Sequence, residues 1–77
     1  MKIQILGTGC PKCRTLEDNT RKALDLGAIS AEIEKVTNLD DIMAMGVMVT
    51  PALAIDGEVK VSGKLLTPLE ILSLIQG

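Results

Sequence analysis

The change of hydrophobic period near residue 10 constrains the fold of this chain more than any other feature of its sequence. Residues 2–6 form a β-prone run that ends at a glycine-rich loop, residues 7–9. Across residues 11–26 the apolar positions recur instead at spacings of three and four, which is the period of one helix face. Pro11 suits the first helical position, where its missing N–H costs nothing, and Gly27 suits the stop. The sequence therefore predicts a buried strand followed directly by a helix.

The middle of the chain predicts a second strand and a short second helix. The strand covers about residues 30–36, where Ala31, Ile33 and Val36 are apolar and Glu32 and Glu34 fit an alternating pattern. Asn38 is a suitable N-cap for the helix, and two aspartates in the first turn favour its dipole. We expect this helix to end near Met45, with Gly46 as its stop.

A hairpin and a last helix complete the order of elements. Residues 52–55 and 58–62 are β-prone, and Asp56-Gly57 between them indicates a two-residue type I′ turn. Thr67 begins a helix with a proline at its first position and a capping-box glutamate three residues after the cap. The apolar residues of this helix are expected to form one buried stripe: Leu69, Ile71, Leu72, Leu74 and Ile75.

The predicted order is β-α-β-α-β-β-α, an α/β fold in a single domain over residues 1–77. A strand–helix–strand crossover makes the first two strands parallel, and the hairpin adds antiparallel strands. We therefore expect a mixed four-stranded sheet with helices on both faces. Its core must be aliphatic, because 47% of the residues are hydrophobic and none is aromatic.

Composition also limits the partners of the chain. The net charge is −2 and there is no basic block, so an electrostatic footprint for nucleic acid is absent from the sequence. No apolar run approaches the length of about 18 residues that a membrane span needs. With no signal-peptide pattern at the N-terminus, we expect a cytoplasmic protein with no membrane partner.

The two cysteines, Cys10 and Cys13, are the candidate chemistry, and three interpretations of them compete. A structural staple would link distant elements, which a four-residue loop cannot do. A structural zinc site needs about four ligands, and the chain has no third cysteine and no histidine. The two thiolates remain possible ligands for a two-coordinate soft ion such as copper(I). The third interpretation is redox chemistry, which is typical of a CxxC pattern between a strand and a helix.

The redox interpretation assigns a different role to each cysteine. A helix N-terminus stabilises a thiolate through free N–H groups and the positive end of its dipole. Cys10 is predicted at that position, and Lys12 adds a cation nearby. Cys13 is predicted one turn inside, on the core side. We therefore expect Cys10 to attack a disulfide and Cys13 to resolve the mixed disulfide, so that the cofactor is the Cys10–Cys13 disulfide itself, with no metal.

The whole chain resembles the thioredoxin-like superfamily, and especially its small, glutaredoxin-like members with a redox-active disulfide. The resemblance rests on Cys10-Pro11-Lys12-Cys13 after the first strand, Thr50-Pro51 before the Asp-Gly hairpin, and Gly63 after the last strand. It implies the same roles for the two cysteines, a cis peptide bond before Pro51, and Gly63 beside the site. Two positions depart from the family: Gly9 replaces a tryptophan, and Gln4 replaces a buried aspartate.

Protein disulfides are the substrates that the redox interpretation implies. We expect the reductant to be a flavin-dependent thioredoxin reductase or a ferredoxin-linked one. Gly9, Val49 and Gly63 are expected to contact substrate, and Pro11, Lys12, Thr50 and Pro51 to support the cysteines. We expect a monomer, and we interpret Glu17 and Lys64 as surface residues. The rival hypothesis is a copper(I)-type carrier that uses the same thiolates, although such carriers end on a strand rather than on a capped helix.

Overall fold

The computed structural model of the chain describes residues 1–9 and 11–76. It confirms the predicted order of elements. Strand β2 begins at Glu32 rather than at residue 30. The elements are β1 (Lys2–Leu6), α1 (Pro11–Leu26), β2 (Glu32–Val36), α2 (Leu39–Ala44), β3 (Ala52–Ile55), β4 (Glu58–Ser62) and α3 (Pro68–Gln76).

The four strands form one mixed sheet in the order β2-β1-β3-β4. Strands β1 and β2 run parallel, with Ile3 opposite Ile33. Strand β3 is antiparallel to both β1 and β4, and a register shift at Leu53/Ala54 interrupts the β3–β4 ladder. Strands β1 and β3 therefore form the centre of the sheet, and the loop that follows β1 lies in the middle of one of its ends.

Helices cover both faces of the sheet, as predicted. Alternate residues of β1 and β3 point to opposite faces, so two cores form. Helices α1 and α3 pack on one face around Ile3, Leu16, Leu53 and Ile71. Helix α2 packs on the other face, where Ile42 meets the second set of strand residues: Leu6, Ala52 and Ala54.

Local signals in the sequence have the expected structural counterparts. Asp56 and Gly57 have φ angles of 50° and 85°, the positive values that a type I′ turn requires. The Asn38 side chain accepts the Asp40 N–H at 2.8 Å, so it caps α2. Glu70 N–H donates to the Thr67 hydroxyl at 3.2 Å, and this contact forms half of the capping box of α3.

The apolar stripe predicted for α3 is wrong at Leu69. Ile71 is fully buried, whereas the Leu69 side chain is 70% exposed. Residues two positions apart in a helix lie about 200° apart around its axis, so a helix that buries Ile71 turns Leu69 outward. Over the residues that the structure describes, no helix has the length and apolar character needed to cross a bilayer.

Candidate functional site

Cys13 lies in the first turn of α1 and is only 6% exposed. Its burial agrees with the predicted position on the core side of the helix, together with Leu16 and Thr20. Cys13 takes part in a disulfide. The other cysteine of the sequence, Cys10, lies outside the described residues, so the attacking role assigned to it stays a prediction.

Gly7, in the loop after β1, closely approaches the sulfur of Cys13. A methyl group on Gly7 would overlap Cys13 Sγ, and it would lie 3.2 Å from Cys13 Cβ. The same methyl group would lie 3.9 Å from Cβ of Thr50. Gly7 N–H donates to the Val36 carbonyl at 3.0 Å, which holds this loop against β2. Gly7 therefore lets the β1 loop, α1 and the Thr50 segment meet at one point.

A second close approach joins Val49, Pro51 and Gly63. The Thr50–Pro51 peptide bond is cis. Gly63 N–H donates to the Pro51 carbonyl at 2.9 Å, so the end of β4 is fastened to the start of β3. Gly63 has a φ of 74°, and a methyl group there would lie 2.8 Å from Val49 Cγ1. Three residues predicted near the site are thus brought together, with Val49 and Gly63 exposed and Pro51 buried.

The remaining predicted residues surround the start of α1. Pro11 and Lys12 are exposed in the first turn of this helix. Gly9 has a φ of 92° and lines a pocket next to Cys13. The left-handed backbone at Gly9 favours glycine, whereas Gly7 is required for space rather than for its φ angle.

The pocket beside Cys13 has a volume of about 160 Å³. Its lining comes from β1, the loop after it, α1 and the end of β2: Ile5, Gly7, Gly9, Cys13, Arg14, Glu17, Lys35 and Thr37. Three of these side chains are charged, namely Arg14, Glu17 and Lys35. A larger cleft of about 480 Å³ lies between α1 and β2, and the residues described along it include Arg21 and Asp25 but no cysteine.

Glu17 is not the plain surface residue that the sequence suggested. Its side chain is 15% exposed, and its carboxylate pairs with Arg21 at 2.9 Å and with Lys35 at 3.5 Å. The hydrogen bond from Arg21 holds the pKa of Glu17 below its ordinary value, against the opposing effect of burial, and Lys35 adds to the lowering. The spacing Cys13, Glu17, Arg21 places three reactive or charged groups on one helix face, and that spacing was the available signal.

The similarity of this chain to known proteins agrees with the geometry of the site. A family model described as a thioredoxin domain matches residues 1–76. The chain belongs to the thioredoxin-domain family. A thioredoxin of Methanothermobacter thermautotrophicus is 44% identical over 75 residues, 97% of each chain. A thioredoxin of Methanocaldococcus jannaschii is 45% identical over 69 residues, which cover 90% of this chain and 79% of that one.

The predicted resemblance to thioredoxins is therefore confirmed. This thioredoxin-family chain has the β-α-β-α-β-β-α order of a minimal thioredoxin-like fold. Gln4, which stands where the resemblance implies an aspartate, donates its side-chain amide to Glu34 at 3.0 Å. A glutamine side chain does not titrate, so β1 contributes no proton-exchanging group at that position.

Proposed function

We propose that this chain is a thiol–disulfide oxidoreductase that reduces protein disulfides. The Cys10 thiolate attacks one sulfur of the substrate disulfide, and the other substrate sulfur leaves with the electron pair and takes a proton. The Cys13 thiolate then attacks Cys10 in the mixed disulfide, forms the Cys10–Cys13 bond and releases the second substrate thiol. The substrate gains two electrons and two protons, and the protein's two thiols become a disulfide.

The observation that carries this proposal is the meeting of Gly7, Cys13 and Thr50. Gly7 leaves no room for a side chain between its own backbone and the Cys13 sulfur, and Thr50 Cβ is the next neighbour of that position. A disulfide-bonded cysteine thus lies close to the Thr50 segment, which we propose contacts substrate. Membership of the thioredoxin-domain family supports the same chemistry.

The substrate surface that we propose consists of Gly9, Val49 and Gly63, with Thr50 and Pro51 behind it. Val49 and Gly63 are exposed and in contact, so they present a continuous rim. An extended substrate segment can bind such a rim by main-chain hydrogen bonds in the manner of strand addition. Pro11 and Lys12 complete the support for the cysteines from the first turn of α1.

The partners belong to the same proposal. Protein disulfides are the substrates, and a flavin-dependent thioredoxin reductase or a ferredoxin-linked reductase returns the electrons. We propose that the chain works as one domain over residues 1–77, as a monomer, in the cytoplasm. The copper(I)-carrier hypothesis gains no support from the fold, because the described elements have the order of a minimal thioredoxin-like fold.

Insulin reduction tests the proposal. With dithiothreitol as the electron source, the wild-type chain should accelerate the turbidity that appears when insulin chains separate. Cys10→Ser should remove the acceleration and form no mixed disulfide, whereas Cys13→Ser should accumulate a mixed disulfide through Cys10. A titration of copper(I) against a competing chelator is the parallel measurement. Tight copper(I) binding without insulin reduction would overturn the proposal and support the carrier.

A further inference from the structure

The resolving step requires a proton to leave a buried thiol. Cys13 is 6% exposed, and burial disfavours a charged thiolate relative to the neutral thiol. Cys13 attacks as a thiolate, so each turnover moves one proton from its sulfur toward water. That proton needs a path and an acceptor at the site, and the chemistry of the two cysteines alone provides neither.

The pocket beside Cys13 provides the path. Its volume of about 160 Å³ is several times the volume of roughly 30 Å³ that one molecule occupies in liquid water. Cys13 lines it together with the charged side chains Arg14, Glu17 and Lys35. Arginine and lysine are cations at neutral pH and cannot accept a proton, so Glu17 is the acceptor among the described charged groups of the lining.

The position of Glu17 suits this role. Cys13 and Glu17 are four residues apart on α1, so their side chains are neighbours, with Cβ atoms about 5–6 Å apart. Arg21 and Lys35 hold the carboxylate from two sides, at 2.9 and 3.5 Å. Both contacts lower its pKa, so the carboxylate is ionised at neutral pH and holds a transferred proton only briefly before passing it on to water.

We propose that Glu17 is the proton acceptor for Cys13 in the resolving step and acts through water in this pocket. The inference rests on the proposed oxidoreductase function. The Cys13 S–H bond breaks and its proton passes by way of water to the Glu17 carboxylate. The Cys13 sulfur then bonds to the Cys10 sulfur, the substrate thiolate leaves with the electron pair, and Glu17 returns its proton to solvent or to that thiolate.

The negative charge of Glu17, acting without proton transfer, would slow the resolving step rather than assist it. The direction in which a substitution changes that rate therefore distinguishes the two roles. A negative charge near Cys13 disfavours a second negative charge on its sulfur. Glu17→Gln removes that charge and frees Arg21 and Lys35, while Arg14 remains. If Glu17 acted only through its field, the substitution would favour the Cys13 thiolate and accelerate the resolving step. If Glu17 accepts the proton, the same substitution slows that step.

Stopped-flow reaction of the reduced protein with dithiobis(nitrobenzoate) separates the two steps. The first nitrothiophenolate leaves at a rate proportional to reagent concentration, as Cys10 attacks, and the second leaves at a concentration-independent rate, as Cys13 resolves. Glu17→Gln should slow the second phase about 100-fold at neutral pH, within the usual contribution of a positioned general base. The deficit should shrink at alkaline pH, where thiols ionise without an acceptor. Glu17→Asp should recover part of the rate.

Glu58→Gln is the matched control. It removes an exposed carboxylate of β4 that pairs with Lys60 at 3.2 Å, and both phases should stay at the wild-type rate. A second phase in Glu17→Gln that is as fast as wild type, or faster, overturns the role of Glu17. If the wild type has no concentration-independent phase, or if Cys13→Ser retains it, then the assignment of the resolving cysteine is wrong and the proposed function fails instead.

Discussion

Gly7→Ala should damage both the stability of the fold and the chemistry of Cys13. The added methyl group would overlap Cys13 Sγ and would lie 3.2 Å from Cys13 Cβ. Neither atom is the far end of a flexible side chain, and Cys13 is buried at the start of α1. The overlap must therefore be relieved by moving the β1 loop away from α1, and that movement also breaks the fit of Gly7 against Thr50.

The expected loss follows from the cost of overpacking a filled interior. Extra methyl groups forced into well-packed sites cost about 1–3 kcal/mol, against a total stability of about 5–15 kcal/mol for a domain. In a domain of 60–100 residues a loss of about 2 kcal/mol lowers the Tm by roughly 8–16 °C. Circular dichroism of the oxidised protein during heating measures this shift directly.

Gly46→Ala is the control for Gly7→Ala. Gly46 has a φ of 83°, and a methyl group there would meet open space. The control should therefore lose stability through backbone strain alone, by about 1 kcal/mol. Only Gly7→Ala should also alter the rate at which Cys13 resolves a mixed disulfide. A Gly7→Ala protein with the wild-type Tm and the wild-type resolving rate would refute the packing argument.

Three further predictions concern the core, a helix cap and pH. Leu53→Ala should cost about 2–5 kcal/mol in urea unfolding, whereas Leu69→Ala should cost less than about 0.5 kcal/mol, because Leu53 is fully buried and Leu69 is exposed. Thr67→Ala should cost about 1 kcal/mol in the same measurement, because Glu70 N–H loses its acceptor. The pKa of Glu17 is lowered on folding from 4.5, so its contribution to stability is present above that pH and is lost as the pH falls through the folded value. Glu17→Gln should therefore flatten the acid limb of a plot of stability against pH, and an unchanged limb would contradict the ion pairs.

Most element boundaries could be predicted from the sequence because glycine, proline and capping residues mark them. Pro11 and Pro68 open their helices as predicted, and the Asp56-Gly57 turn has the backbone that its type requires. The start of β2 could not be predicted, because it depends on a partner strand. Among the described strands, β2 pairs with β1 alone, and the pairing begins where β1 begins, with Lys2 opposite Glu32.

The site was harder to predict than the fold, because two of its residues have roles that depend on distance. A loop glycine has the same appearance in sequence whether it provides a positive φ, as Gly9 does, or space, as Gly7 does. Glu17 pairs with Arg21 on its own helix and with Lys35, which belongs to strand β2. Only the spacing of Cys13, Glu17 and Arg21 along α1 was visible in advance, and such spacing is common on exposed helices.

The absence of aromatic residues explains why glycines have so large a part in this site. The chain has no aromatic side chain that could cover a reactive sulfur. At this site, backbone segments approach each other closely instead, at Gly7 and at Gly63. Gly7 admits the Cys13 sulfur, and Gly63 admits the Val49 side chain while its N–H holds Pro51. The exposed side chains beside this arrangement are flexible or short, with Met48 at 85% exposure next to Val49. On the proposed function, substrate is therefore bound by main-chain hydrogen bonds and adaptable aliphatic contacts, which favour many weakly bound protein disulfides over one tightly bound partner.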